Sequence, residues 1–425
     1  MSNAPPRSWR TRDFCQKPLR SGTYRTHTRG MSPAPSGARP MGLPLLEDLP
    51  DPDGANVLVR ATLDLPLSSA PSSPLAQIRA EGLAATVRWL AERGAHVTVW
   101  GGGGAQGGGG AQGGGGAGGH LSHVRTVLLA LEPSLDRGAL RLKRCAEDED
   151  REAVAQIVAH HDLFVNDTLQ DSLLPVPSVT LPPTLLPSAI GRTLQRDLTV
   201  LEPLLTAPPR PFVAVLGGER TFGRLHRLVG LVLRADAVLL GGGLALPMLQ
   251  ALGREPAEDR DNDFIQECRS VHGLSQRVRH RLVLPADLVW SRGGRAHVST
   301  RRERTGDVVV DIGPATCLRF GEELRGAGSV LWAGSVGMVE SEPFRAGTRA
   351  LASALADKQS VVLGGDALVA LLWRERIRPG KSEVLTATDS AIELLKNGDL
   401  PAISAIREAA RAAGAANVDR DPSCS

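Results

Sequence analysis

Five times in its second half the chain sets glycine directly after an apolar run and starts a helical pattern just beyond. These runs are Leu216-Gly-Gly218, Leu240-Gly-Gly-Gly243, Ile312-Gly-Pro314, Trp332-Ala-Gly334 and Leu363-Gly-Gly-Asp366. Glycine lets the backbone approach a ligand closely, and a helix opening after such a turn offers N–H groups to an anion. One such turn is an ordinary connection; five in succession point to a nucleotide. No G-x-x-x-x-G-K-S/T run is present, which excludes the P-loop form of that chemistry. A G-x-G-x-x-G does occur at Gly102, Gly104 and Gly107. It lies in a tract holding 14 glycines between Gly101 and Gly119, where almost any glycine spacing would match, so the tract reads as a flexible loop.

The elements that must carry these turns alternate along the chain. Asn56 to Leu63, His96 to Trp100, Ala139 to Leu142 and Leu163 to Asn166 read as strands. Between them, Leu75 to Arg93, Val124 to Leu131 and Val154 to Val158 read as helices. A Pro-rich connection from Pro175 to Pro187 leads to a long helix from Ile190 to Leu205. A second strand series follows at Phe212–Leu216, Ala237–Leu240, Arg281–Leu284, Val308–Asp311, Ser329–Trp332 and Ser360–Leu363. Strands alternating with helices predict parallel sheets covered on both faces, with ligands at the carboxyl ends of the strands. The fold class is therefore α/β, with two Rossmann-like units. The expected organisation is a disordered leader (1–45), an N-terminal α/β domain (46–190), an interdomain helix (191–207), a C-terminal α/β domain (208–395), and a terminal helix and tail (396–425).

Charge narrows the partners. The net charge is +3 over 425 residues, but residues 1–40 carry eight basic groups against Asp13 alone. The remainder is slightly acidic, which argues against nucleic acid. No run of 18 apolar residues suggests a membrane span. The cysteines Cys15, Cys145, Cys268, Cys317 and Cys424 show no C-x-x-C spacing, so thiols in a reducing cytoplasm are expected rather than disulfides or zinc.

The motifs resemble those of phosphoglycerate kinases, in order and spacing. The resemblance rests on Pro211-Phe-Val-Ala-Val-Leu-Gly-Gly218, Leu239-Leu-Gly-Gly-Gly243, Asp311-Ile-Gly-Pro314, Val339-Glu340 with Glu342-Pro-Phe344, and Leu363-Gly-Gly-Asp366. In the first half it rests on Leu58-Val-Arg60 with Leu65-Pro-Leu67, Phe164-Val-Asn-Asp167 and Leu186-Pro-Ser-Ala189. It spans roughly residues 55 to 415. The resemblance implies two Rossmann-like domains facing a cleft, with 3-phosphoglycerate on the N-terminal side and Mg-ADP or Mg-ATP on the C-terminal side. It implies nucleotide contacts at Gly217, Gly218, Arg220, Arg224, Gly242, Gly243, Gly313, Pro314, Glu340, Gly364, Gly365, Asp366 and Ala367. Within that set Arg224 would act on the transferred phosphoryl, Glu340 on the ribose, and Asp366 on Mg²⁺. A cytoplasmic monomer is the expected state.

The sequence also departs from the family pattern. Arg220 and Arg224 stand where lysines are usual, which keeps the charge but changes the geometry. The family's S-T-G-G-G-A-S reads Leu385-Thr-Ala-Thr-Asp-Ser-Ala391, which puts a carboxylate beside the phosphoryl path. On the acid-substrate side, D-x-N reads Thr62-Leu63-Asp64, and Gln77 stands at the position of the catalytic arginine. Arg79, two positions on, would point elsewhere on a helix. The glycine tract replaces the S-H-L-G-R-P loop. These losses predict a family member that binds adenine nucleotide, with transfer to 3-phosphoglycerate impaired or lost. Two alternatives stay open: an active phosphotransferase using 3-phosphoglycerate or another small acid, and a non-enzymatic scaffold.

Overall fold

The computed structural model describes residues 39–63, 74–101, 124, 128, 140–144, 150–256, 262–277, 281–304 and 306–418. Residues 1–38, Asp64, the Leu65–Leu67 motif, the glycine tract beyond Gly101 and most of the Val124–Leu131 helix lie outside the described residues.

The first half builds a five-stranded parallel sheet. Its strands are β1 (Asn56–Arg60), β2 (His96–Gly101), β3 (Leu140–Arg144), β4 (Leu163–Asn166) and β5 (Ser188–Ile190), in the order β3-β2-β1-β4-β5. The second half builds a six-stranded parallel sheet from β6 (Phe212–Leu216), β7 (Ala237–Leu240), β8 (Arg281–Val283), β12 (Ser329–Ala333), β13 (Val361–Gly364) and β14 (Ser382–Val384). Their order is β14-β13-β12-β6-β7-β8. β4, β6, β7, β12 and β13 are buried along their whole length. That is why they read as continuous apolar runs rather than alternating ones.

One predicted strand belongs elsewhere. Val308–Ile312 (β11) does not join the parallel sheet but pairs antiparallel with Leu288–Arg292 (β9), which also pairs with Arg295–Ser299 (β10). The antiparallel hairpin turns at Gly293-Gly294, both at positive φ. Periodicity alone does not distinguish this small sheet from the main one.

The long helix is Arg192–Thr206, begun by Gly191 after β5, and Ile190, expected to open the helix, is the last residue of that short strand. Asp167 accepts from the Thr193 N–H (2.8 Å) and hydroxyl (2.9 Å), and from the Thr86 hydroxyl (3.1 Å). This fixes the start of the helix. Leu194, Leu198, Leu201 and Leu204 recur at helical spacing and are buried in a core with Phe212, Leu216 and Leu228.

Two segments placed at the ends of the chain are built into this core. Residues 39–45, assigned above to the disordered leader, are ordered: Leu43 and Leu45 are buried, and Leu45 bridges to Ile190. The terminal helix begins at Pro401, since Lys396 and Asn397 still belong to the helix Thr388–Asn397. Its Ile403 and Ile406, with Leu400 before it, share the core with Ile190 and Leu194. It lies against the short helices Pro177–Thr180 and Pro182–Leu185 of the first half.

The halves also meet directly. Leu75 and Ile78, on the helix Pro74–Ala91 that follows β1, are buried with Leu368, Val369 and Leu372 of the helix Asp366–Arg374 that follows β13. These residues lie in the first two turns of their helices, which start at the carboxyl ends of the strands, so the two carboxyl edges are brought together here.

Candidate functional site

At the carboxyl edge of the six-stranded sheet the glycine turns pack onto one another. A Cβ at Gly217 would lie 2.1 Å from the Ser335 carbonyl oxygen, and one at Gly243 would lie 2.5 Å from the Arg220 nitrogen. No side chain fits either gap. The amides are spent in the same contacts: Gly217 donates to Ala333 (2.9 Å), Gly218 to Ser335 (2.7 Å), Gly242 to Val336 (3.1 Å), Gly243 to Gly218 (2.7 Å) and Gly334 to Gly364 (2.8 Å). The glycines thus build a dense backbone floor, and these five N–H groups are bonded to carbonyls rather than aimed outward.

The Gly313-Pro314 turn is occupied in another way. Asp287 accepts from the Ala315 N–H (3.1 Å) and the Thr316 N–H (2.8 Å) at the start of the helix Pro314–Gly326, and from the Thr316 hydroxyl (2.7 Å). A Cβ at Gly313 would strike this carboxylate at 2.3 Å. The helix start expected to face phosphate is therefore capped from within by a negative group.

Charged residues stand on this floor. Thr221 caps the helix Phe222–Arg234, its hydroxyl accepting from the Arg224 N–H at 3.1 Å. Arg220 precedes the helix, and its guanidinium lies 4.7 Å from the centre of the Phe264 ring. The Arg224 guanidinium folds back over Gly218, 3.0 Å from where a Cβ would stand. Burial lowers the pKa of Arg224, and Asp389 opposes that shift. Asp389 lies 3.9 Å from Arg224 Nη1 and 3.1 Å from Arg227 Nε. Arg227 escaped the sequence reading, although its i, i+3 spacing from Arg224 puts both on one helix face.

Thr388 presses on Gly364, where a Cβ would meet its hydroxyl at 2.1 Å. Asp366 and Ala367 open the helix Asp366–Arg374, exposed, with Gly365 before them at φ 103°. Glu340 is also exposed, and its carbonyl accepts from Arg345. Among the described residues no group of three or more His, Cys, Asp or Glu is arranged to hold a metal by itself. Mg²⁺ held by one carboxylate, water and substrate phosphates needs no such group, and the exposed Asp366 suits that donor set.

Among the described residues at the carboxyl edge of the five-stranded sheet, β3 carries the exposed Lys143 next to its last residue, whereas the ends of β1 and β4 are buried. Thr62 is buried and shares a hydrogen bond of 2.6 Å with Thr168, and Leu63 is a core residue at 1% exposure. Both stand where the resemblance puts the acid-substrate motif in degraded form. They continue the buried run of β1 beyond Arg60. Arg60 is also buried, with Nη2 3.1 Å from Asp171 and Nη1 bonded to the Trp100 carbonyl at 3.3 Å. Gln77 donates to Glu81 one turn along its own helix at 2.9 Å. Arg79 does point away from Gln77, and its destination is the second half: Nε and Nη2 bond the Thr386 carbonyl at 3.2 and 2.6 Å.

The segment from Val384 to Ser390 therefore ties the halves together. Arg196 donates to the Val384 carbonyl at 2.7 Å, and Ser390 donates to the Gln170 carbonyl at 3.1 Å. The Thr386 hydroxyl bonds the fully buried Asp197, whose pKa burial raises while Arg196 works against the shift. Sequence reading had singled out this stretch for missing glycines, not for its partners.

Two doubly wound parallel sheets meeting at their carboxyl edges, one carrying a floor of glycine turns, define an α/β protein of two Rossmann-like layers. Comparison with known proteins agrees. The family profile described as phosphoglycerate kinase matches residues 139–397. A phosphoglycerate kinase of Chloroflexus aurantiacus is 30% identical over 273 residues, covering 62% of this chain and 68% of that one. One from Rhodospirillum centenum is 29% identical over 405 residues, covering 86% of this chain and all of that one. Among solved structures, phosphoglycerate kinase from Pyrococcus horikoshii superposes with a TM-score of 0.71 at 19% identity, covering 86% of this chain and 99% of its own. That from Coxiella burnetii gives 0.68 at 22%, with the same coverage. The chain belongs to the phosphoglycerate kinase family.

Proposed function

We propose that the chain binds Mg-ADP or Mg-ATP at the glycine floor of the six-stranded sheet, and that phosphoryl transfer to 3-phosphoglycerate is impaired or lost. The observation that carries this reading is the fate of the cations. Transfer between two anions needs positive charge on both sides of the moving phosphoryl. On the nucleotide side Arg220, Arg224 and Arg227 remain, with Asp366 for magnesium and Glu340 for the ribose. On the acid side, among the described residues, Arg60 is buried against Asp171, Gln77 is neutral and bonded to Glu81, and Arg79 is bonded to the Thr386 carbonyl, while Lys143 near the end of β3 is exposed. Removing one such charge-stabilising group costs on the order of 10²–10³ in rate, so several losses leave little turnover.

A thermal-shift titration with Mg-ADP, paired with a coupled assay on ATP and 3-phosphoglycerate, tests both parts. The expected result is stabilisation at millimolar Mg-ADP without turnover. Turnover that Asp366→Ala abolishes would establish a working phosphotransferase and overturn the second part. No shift with nucleotide would overturn the first and favour a scaffold.

A further inference from the structure

The carboxylate of Asp389 reaches the two arginines that the nucleotide site would offer to phosphate. It stands at the second residue of the helix Thr388–Asn397, half-exposed. Arg224 and Arg227 come from a different helix, Phe222–Arg234, and are largely covered. Asp389 lies 3.1 Å from Arg227 and 3.9 Å from Arg224. At longer range Glu219 acts on Arg224 and Glu393 on Arg227. Arg224 in turn lies over Gly218, on the glycine floor. An anion that settles on Arg224 from this floor must share its guanidinium with Asp389 or push the carboxylate aside. The backbone that carries Asp389 is held by Arg79, Arg196, Asp197 and Gln170, so the carboxylate does not leave by drift of its loop.

We propose that Asp389 is an internal stand-in for a ligand phosphate: it occupies the Arg224–Arg227 pair in the free protein and competes with the phosphates of a bound ligand. The inference rests on the nucleotide reading for the identity of that ligand, but not for the competition itself, which any diphosphate-sized anion would meet. Two consequences follow. In the free protein Asp389 neutralises two neighbouring like charges, so it stabilises the fold. In the presence of a polyphosphate it weakens binding, so the same residue acts with opposite sign.

The test uses the full chain and two probes, inorganic pyrophosphate and Mg-ADP, in calorimetric titrations of the wild type, Asp389→Asn and Asp389→Ser. The exposure of Asp389 keeps the pair's strength modest, so each variant is expected to bind pyrophosphate about fivefold more tightly, or ~1 kcal/mol. Each is expected to melt below the wild type without anion and to regain that loss when pyrophosphate is added. Adding Arg227→Ala to Asp389→Asn should remove the gain. Unchanged or weaker pyrophosphate binding by a folded Asp389 variant overturns the proposal, as does failure of every protein to bind pyrophosphate. Tighter pyrophosphate binding with no Mg-ADP binding upholds the competition and sinks the nucleotide reading. Unchanged pyrophosphate binding together with equal Mg-ADP binding by wild type and variants does the reverse.

Discussion

Leu75 belongs by sequence to the first half and by packing to the second, which gives a quantitative test of how the halves are joined. Its side chain is 2% exposed and buried in the core of the six-stranded sheet with Leu368. Leu83, two turns along the same helix, is equally buried but lies in the core of the five-stranded sheet. Leu75→Ala removes three carbons from a packed site and should cost about 3 kcal/mol, as should Leu83→Ala or Leu368→Ala. Their pairings separate the two roles. Leu75→Ala and Leu368→Ala open one shared space, so the double variant should lose about 1 kcal/mol less than the two losses combined. Leu83→Ala and Leu368→Ala share no core and should add to within about 0.5 kcal/mol. Urea unfolding of the wild type and the five variants supplies all the values. An additive Leu75–Leu368 pair, or a Leu75→Ala loss under about 1 kcal/mol, would refute a closed seam over the start of the helix Asp366–Arg374.

Two further outcomes are expected. Burial pushes the carboxyls of Asp167 and Asp311 up to about 7 despite the hydrogen bonds each accepts. Between the ordinary carboxylate range and pH 7 the folded chain then holds protons that the unfolded chain has released. Stability should therefore fall as pH rises from about 5 to 7, by on the order of a few kcal/mol. His161, whose pKa burial lowers, acts in the opposite direction, so the informative measurement is the urea midpoint of Asp311→Asn against wild type across this window. A wild-type advantage that does not shrink with rising pH would contradict the assignment. Gly217→Ala should destabilise by about 1–3 kcal/mol, because its Cβ would meet the Ser335 backbone and not a movable side chain. A neutral Gly217→Ala in the same urea assay would show that the turns are not packed as described.

Much of the fold was legible because buried parallel strands announce themselves as unbroken apolar runs. Phe212–Leu216 and Ala237–Leu240 were read with the bounds they have in the structure. What failed was pairing: Val308–Ile312 carries the same kind of signal but joins an antiparallel sheet, and strand pattern contains no record of the neighbour. β5 and β14, three residues each, read Ser-Ala-Ile and Ser-Glu-Val and lack the apolar run that marks the equally short β8. The candidate site was legible in residue types and not in their use. Glycine was read as freedom to meet a ligand, whereas at Gly217 and Gly243 it lets one turn meet the next. The carboxylate of Asp389 was visible as an intruder, but its partner Arg227 and the bond from Arg79 to Thr386 depend on contacts across 162 and 307 residues of chain. No local pattern encodes those distances.

The terminal helix Pro401–Val418 carries a consequence for how the molecule comes into being. Leu400, Ile403 and Ile406 complete a core that already contains Leu43, Leu45, Ile190 and Leu194. A ribosome has therefore made the whole first sheet long before the residues that cover this part of it exist. At ordinary elongation rates the gap between Leu194 and Ile406 amounts to roughly 10–40 s. Through that interval the nascent first half exposes the apolar surface that the helix will later bury, and it stays open to chaperones until the last helix returns.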